Sequence, residues 1–70
     1  MKKIVVFGGS GFLGSYVADE LLNRNYDVTI ADINKSQNLN DKQKFKKINI
    51  LNIQDVKKVI KDAYMVYNFS

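Results

Sequence analysis

The run Ile4-Val5-Val6-Phe7-Gly8-Gly9-Ser10-Gly11-Phe12-Leu13-Gly14 decides how the rest of the chain is read. Its first four residues are apolar and mostly β-branched, as in a short strand buried on both faces. Beyond the glycines, Leu13, Val17 and Leu21 recur one helical turn apart. The glycines therefore occupy a strand-to-helix turn, the context that makes a Gly-rich motif meaningful. Glycine has no side chain and tolerates positive φ, so a ligand can come close to the backbone. The helix behind the turn offers free N–H groups and a positive dipole end, which suit a pyrophosphate.

Two registers fit. Gly9, Gly11 and Gly14 spell G-x-G-x-x-G, and Gly8, Gly11 and Gly14 spell G-x-x-G-x-x-G. A glycine pattern alone is equally a tight turn with no ligand. Here an acid, Asp32, follows about 20 residues on, at the end of a second strand-like run, and this favours a dinucleotide. No Gly-Lys-Ser/Thr follows, so the turn is not a P-loop. Ser10 has no glycine two residues later, so it is not a nucleophile elbow.

The chain has 70 residues, fewer than a usual domain, and a chain this short buries only about 60% of its unfolded surface. Its hydrophobic fraction of 46% and charged fraction of 26% are those of a globular protein. It contains no proline, cysteine or histidine. That excludes a disulfide framework and thiolate or imidazole metal sites, and no carboxylate cluster suggests a metal. No signal peptide and no membrane-length apolar run is present, so a cytoplasmic protein with no membrane partner is expected. Net charge is +4, with lysines at 42, 44, 46, 47, 57, 58 and 61. They are not interleaved with aromatics, as a single-strand-binding platform requires. They are read as solvated faces, and no nucleic-acid partner is expected.

In order, Lys2 to Phe7 reads as a first strand and Gly11 to Asn23 as a helix. The helix has Leu13, Val17, Ala18, Leu21 and Leu22 as its apolar face and Asn25 as a left-handed terminator. Asp27 to Ala31 is a second strand ending at Asp32. The polar stretch Asn34 to Lys44 reads as a loop with room for one helical turn. Phe45 to Ile50 is a third strand. Asn52 is an N-cap, with Asp55 three residues on, for a helix whose apolar face is Ile53, Val56, Val59, Ile60 and Ala63. Tyr64 to Phe69 is a fourth strand. Right-handed crossovers make the sheet parallel, in the doubly wound order 3-2-1-4. No internal repeat or interdomain linker is visible.

Gly8-Gly9-Ser10-Gly11-Phe12-Leu13-Gly14 resembles the glycine turn of the extended short-chain dehydrogenase/reductases, the NAD-dependent epimerase/dehydratase family. That family shows T-G-G-x-G-F-I-G here, with Phe7 replacing the threonine. The resemblance implies a Rossmann-type α/β fold and NAD as cofactor. Phe12 and Leu13 would bring their amides to the pyrophosphate. Asp32 would take the adenosine ribose hydroxyls, and Ile33, Asn34 and Ser36 would complete that end. Asn49-Ile50 matches the family's Asp-Ile/Leu at the adenine edge, and Phe69-Ser70 ends a fourth strand beside the nicotinamide side. With Gly8, Gly9, Gly11 and Gly14, these are the implied cofactor-binding residues.

The resemblance covers residues 1–70, which correspond to the first part of such an enzyme's dinucleotide-binding domain, with no second domain. The family's catalytic Ser/Thr and Tyr-x-x-x-Lys lie further along. No tyrosine here has a lysine four residues later: Tyr16 leads to Glu20, Tyr26 to Ile30 and Tyr64 to Asn68. No catalytic residue is therefore named. Two readings follow. One is the NAD-binding segment of an oxidoreductase (epimerase, dehydratase or reductase) acting on a nucleotide sugar, for which a homodimer is compatible. The other is a non-catalytic dinucleotide-binding or regulatory module of the same fold.

Overall fold

The computed structural model describes residues 1–36 and 39–70. Its centre is the apolar run at the N-terminus. Strand β1, Lys3–Phe7, is buried along nearly its whole length. The chain enters helix α1, Phe12–Asn23, and returns as β2, Asp27–Asp32, beside β1. Strand β3, Lys44–Lys47, adds outside β2. Helix α2, Ile53–Ile60, carries the chain back across the sheet to β4, Met65–Asn68, on the other side of β1. All pairings are parallel and the order is β3-β2-β1-β4, as expected. The fold is Rossmann-like.

The registers bring the carboxyl ends of the strands level. Phe7 pairs with Ala31 and Asn68, and Asp32 pairs with Lys47. The chain leaves β1 toward β2 but reaches β4 on the opposite side. Such a reversal opens a crevice above the strand ends, where open α/β sheets bind ligands.

Alternate residues of β1 face opposite layers. Ile4 and Val6 join Val28, Ile30, Ala18 and Leu21 on the α1 side. Val5 and Phe7 join Ala31, Ile48 and Val59 on the α2 side. The fully buried Ile4, Val5, Val6, Val28 and Ile30 each contribute roughly 1.5–3 kcal/mol of burial.

Four expected details differ. The buried stripe of α1 is Gly14, Ala18 and Leu21, while Leu13 is 58% exposed. Gly14 presses on the turn, and that fixes the helix rotation with Leu13 to one side. On α2 only Val59 is buried, and Ile53 is 60% exposed. Asp62, at φ 63, turns the chain after Ile60, so Ala63 lies beyond the helix and packs from there.

Strand β3 stops at Lys47 rather than Ile50. The Asn49 side chain accepts from Leu51 N–H at 2.9 Å and its carbonyl accepts from Asn52 N–H at 2.9 Å, closing a turn. Among the described residues between Asn34 and Gln43 there is no helix. A turn forms instead, with Gln43 N–H donating to the Asn40 carbonyl at 2.9 Å. Asn25, at φ 68, and the N-cap Asn52, which accepts from Asp55 N–H at 3.2 Å, are as expected.

Candidate functional site

The glycine turn has two kinds of position. Three glycines are demanded by the fold. Gly8 has φ +74 and lies so close to the last residues that a β-carbon would sit 2.7 Å from the Phe69 carbonyl carbon. A β-carbon on Gly9 would sit 2.7 Å from Ile30 Cγ2. One on Gly14 would run into the Gly8 carbonyl oxygen. Gly11 is different. Its φ of −76 suits any residue, and a β-carbon there would meet only the Gly8 oxygen, at 3.4 Å. Packing does not require glycine at this exposed position. A side chain at Gly11 would fill only open space above the turn, the space a close-lying ligand needs.

The polar groups of the turn are mostly committed. Gly8 N–H donates to the Ala31 carbonyl at 2.9 Å, and Gly11 N–H donates to the Gly8 carbonyl at 3.1 Å. Ser10 N–H donates to Asp32 Oδ2 at 3.1 Å. Gly11 is the N-cap of α1 and supplies no side-chain cap. The first N–H groups of a helix have no intrahelical acceptor. Phe12 and Leu13 therefore present their amides at the positive end of α1. The Ser10 hydroxyl oxygen is buried with no hydrogen-bond partner among the described residues.

Asp32 closes the site on the β2 side. Its second oxygen accepts from Asn34 N–H at 3.3 Å, and its carbonyl accepts from Ile48 N–H at 2.9 Å. An ionised carboxylate offers about four acceptor directions. Two serve the chain, which leaves capacity for hydroxyl donors from a ligand.

A groove of about 250 Å³ runs over the strand ends, lined by Gly8, Gly11, Asp32, Ile33, Ile50, Phe69 and Ser70 together with Ala31 and Ile48. Phe12 and Leu13 do not line it but follow Gly11 as the first residues of α1, and Gly9 and Gly14 are buried. Asn34 reaches it through its N–H bond to Asp32. Asn49, between the groove-lining Ile48 and Ile50, does not line it and has its amide oxygen engaged in its own turn. Ser36 is apart, in a separate hollow with Leu39, Gln43 and Phe45. Phe69 stacks near-parallel to Tyr67, ring centroids 6.4 Å apart.

Sequence reasoning missed Ala31, Ile48 and Ser10. The first two were readable from the parallel 3-2-1-4 order, because Ala31 lies one residue before the end of β2 and Ile48 one residue after the end of β3, at the carboxyl ends of the sheet. Ser10 gave a weaker signal, a polar residue between glycines of the turn. Among the described residues no group of acidic, histidine or cysteine side chains forms a metal site, and no helix is long and apolar enough to cross a membrane.

Known proteins are similar to this chain in sequence and fold. The chain is 36% identical over 74 residues to a putative UDP-glucose 4-epimerase of Methanocaldococcus jannaschii, matching 90% of this chain and 24% of that one. Its fold superimposes on the UDP-glucose 4-epimerase of Thermotoga maritima, solved with UDP-glucose, with a TM-score of 0.88 and 29% identity, over 97% of this chain and 24% of that one. It also superimposes on the dTDP-glucose 4,6-dehydratase of Bacillus anthracis, solved in complex with NAD, with a TM-score of 0.83 and 29% identity, over 100% of this chain and 27% of that one. The chain thus spans about a quarter of the length of these relatives. The NAD dependent epimerase/dehydratase family matches residues 4–70, and the chain belongs to that family.

Proposed function

We propose that this chain binds NAD in the groove above the glycine turn, as the cofactor-holding segment of an oxidoreductase acting on a nucleotide sugar. The observation that carries the reading is Gly11. It is the one glycine of the turn whose missing side chain serves no packing need, and it precedes Phe12 and Leu13, whose amides open α1 and so have no intrahelical acceptor.

The residues fit the group. The amides of Phe12 and Leu13 would hold the pyrophosphate at the positive end of α1. The Asp32 carboxylate would accept the adenosine ribose hydroxyls. Ile33, Ile48 and Ile50 would give the adenine an apolar bed, with Asn49 at its edge. Phe69 and Ser70 would border the nicotinamide half. Ser36 would need to approach the groove to take part. When bound, NAD supplies hydride transfer, while the residues described hold and orient it. The relatives with UDP-glucose and with NAD support the nucleotide-sugar substrate class and the cofactor.

Titration of the full-length protein with NAD, followed by turnover with UDP-glucose and dTDP-glucose, tests the reading. Saturable NAD binding with conversion of a nucleotide sugar is expected. Absence of NAD binding would overturn it. Binding without turnover of any nucleotide sugar would favour the non-catalytic module.

A further inference from the structure

We infer that Asp32 is also the positioning residue of the phosphate-binding turn. The inference rests on the cofactor reading above and assigns the carboxylate a task apart from the ribose. Its Oδ2 accepts from Ser10 N–H at 3.1 Å, a part-buried bond linking the end of β2 to the middle of the turn. Inside the turn the companion bond is Gly11 N–H to the Gly8 carbonyl, at 3.1 Å. Without the carboxylate, Ser10 N–H loses its acceptor, and the turn is tied to β2 only at its start, through Gly8 N–H and the Ala31 carbonyl. The two residues after Ser10 are Gly11, the N-cap, and Phe12, the first helical amide. A turn that relaxes at Ser10 therefore moves the groups facing the pyrophosphate.

The carboxylate is well placed to hold something else still. Asp32 is fixed by strand pairing to Lys47, by its carbonyl bond to Ile48 N–H and by Asn34 N–H on its other oxygen. Hydrogen bonds to a charged acceptor are among the stronger ones.

Charge and position predict opposite signs, and that makes the inference testable. A negative carboxylate near a diphosphate repels it, so on charge alone its removal tightens binding. If the carboxylate holds the turn, its removal loosens binding. The probe is an NAD analogue whose adenosine ribose lacks both hydroxyls, which removes the ribose contact from the comparison. The protein is the full-length chain, as wild type, Asp32→Ala and Asp32→Asn.

Asp32→Ala is expected to weaken analogue binding on the order of tenfold, the size of one charge-assisted hydrogen bond. Asp32→Asn keeps an acceptor for Ser10 N–H and is expected to bind the analogue within about threefold of wild type while losing more affinity for NAD itself. In the ligand-free proteins, amide exchange over residues 7–12 should quicken in Asp32→Ala and stay near wild type in Asp32→Asn. Analogue binding by Asp32→Ala as tight as wild type or tighter, or unchanged exchange of the turn, overturns the inference. If Asp32→Ala does not fold, Asp32→Asn decides alone, and equal losses for NAD and the analogue overturn it. A wild type that binds no NAD defeats the proposed function, while the exchange comparison still decides the role of Asp32 in the turn.

Discussion

The carbonyl oxygen of Gly8 occupies the place a β-carbon on Gly14 would need. Gly8 takes a left-handed φ of +74 to put it there, and α1 can then start close against the sheet. The glycines at 8 and 14 are thus one device for seating the helix, a packing need distinct from the open space at Gly11, although Gly8 also lines the groove.

That separation predicts two different phenotypes. Gly14→Ala drives a β-carbon into the Gly8 backbone and should destabilise the full-length protein by about 1–3 kcal/mol or more. Gly11→Val meets no such obstacle. It should change stability by no more than about 1 kcal/mol, the scale of an altered N-cap, and abolish NAD binding. Denaturant unfolding and NAD titration of both variants check this. Unchanged NAD affinity in Gly11→Val would refute the assignment of the turn.

Ser10 carries a buried hydroxyl oxygen with no partner among the described residues. A buried hydroxyl left unsatisfied costs roughly 1–3 kcal/mol. Ser10→Ala removes the hydroxyl and keeps the N–H bonded to Asp32. The ligand-free protein should therefore be as stable as wild type or more stable, by up to about that amount. A urea midpoint clearly below wild type would show that the hydroxyl has a stabilising partner.

How far the sequence disclosed the molecule depended on the range of the interaction. The inner strands, the turn and the Asn25 terminator were legible because each follows from a local pattern: an apolar run, a glycine spacing, a residue tolerant of αL; the strand order then followed from the crossover rule. The end of β3 was not legible, because Asn49 turns its side chain back on Leu51 N–H, although apolar residues recur at Phe45, Ile48 and Ile50. Leu13 looked like part of the helix face because periodicity counts apolar residues. The residue that packs in that turn is Gly14, which hydropathy ignores. Asp62, at φ 63, bends the chain where no glycine announces a turn. The bond from Ser10 to Asp32 joins residues 22 apart, so only the sheet registers reveal it.

The cofactor should be NAD rather than NADP. The Asp32 carboxylate accepts hydroxyl donors and repels a 2′-phosphate, and no arginine lies near it in sequence to receive one. Lys35, three residues on, is the nearest cation in sequence. Dissociation constants measured on the full-length protein should favour NAD, and Asp32→Ala should narrow the gap by weakening NAD. NADP binding equal to or tighter than NAD would sink the prediction.

The two outer strands of the described sheet differ in how they meet solvent. Strand β3 presents Lys44, Lys46 and Lys47, the charged kind of edge that resists pairing with another chain. Strand β4 has no such guard: Met65 is 43% exposed and Val66 44%. Its hydrogen-bonded neighbour in the sheet is β1, on one side. Residues 1–70 expressed alone should therefore self-associate through β4 and bind NAD more weakly than the full-length protein. Val66→Lys puts a charge on that edge at an already exposed position and should shift the fragment toward monomer without disturbing the core. Sedimentation of both fragments across a concentration series checks this. A cooperative, monomeric wild-type fragment with micromolar NAD affinity would defeat the prediction and favour a stand-alone binding module.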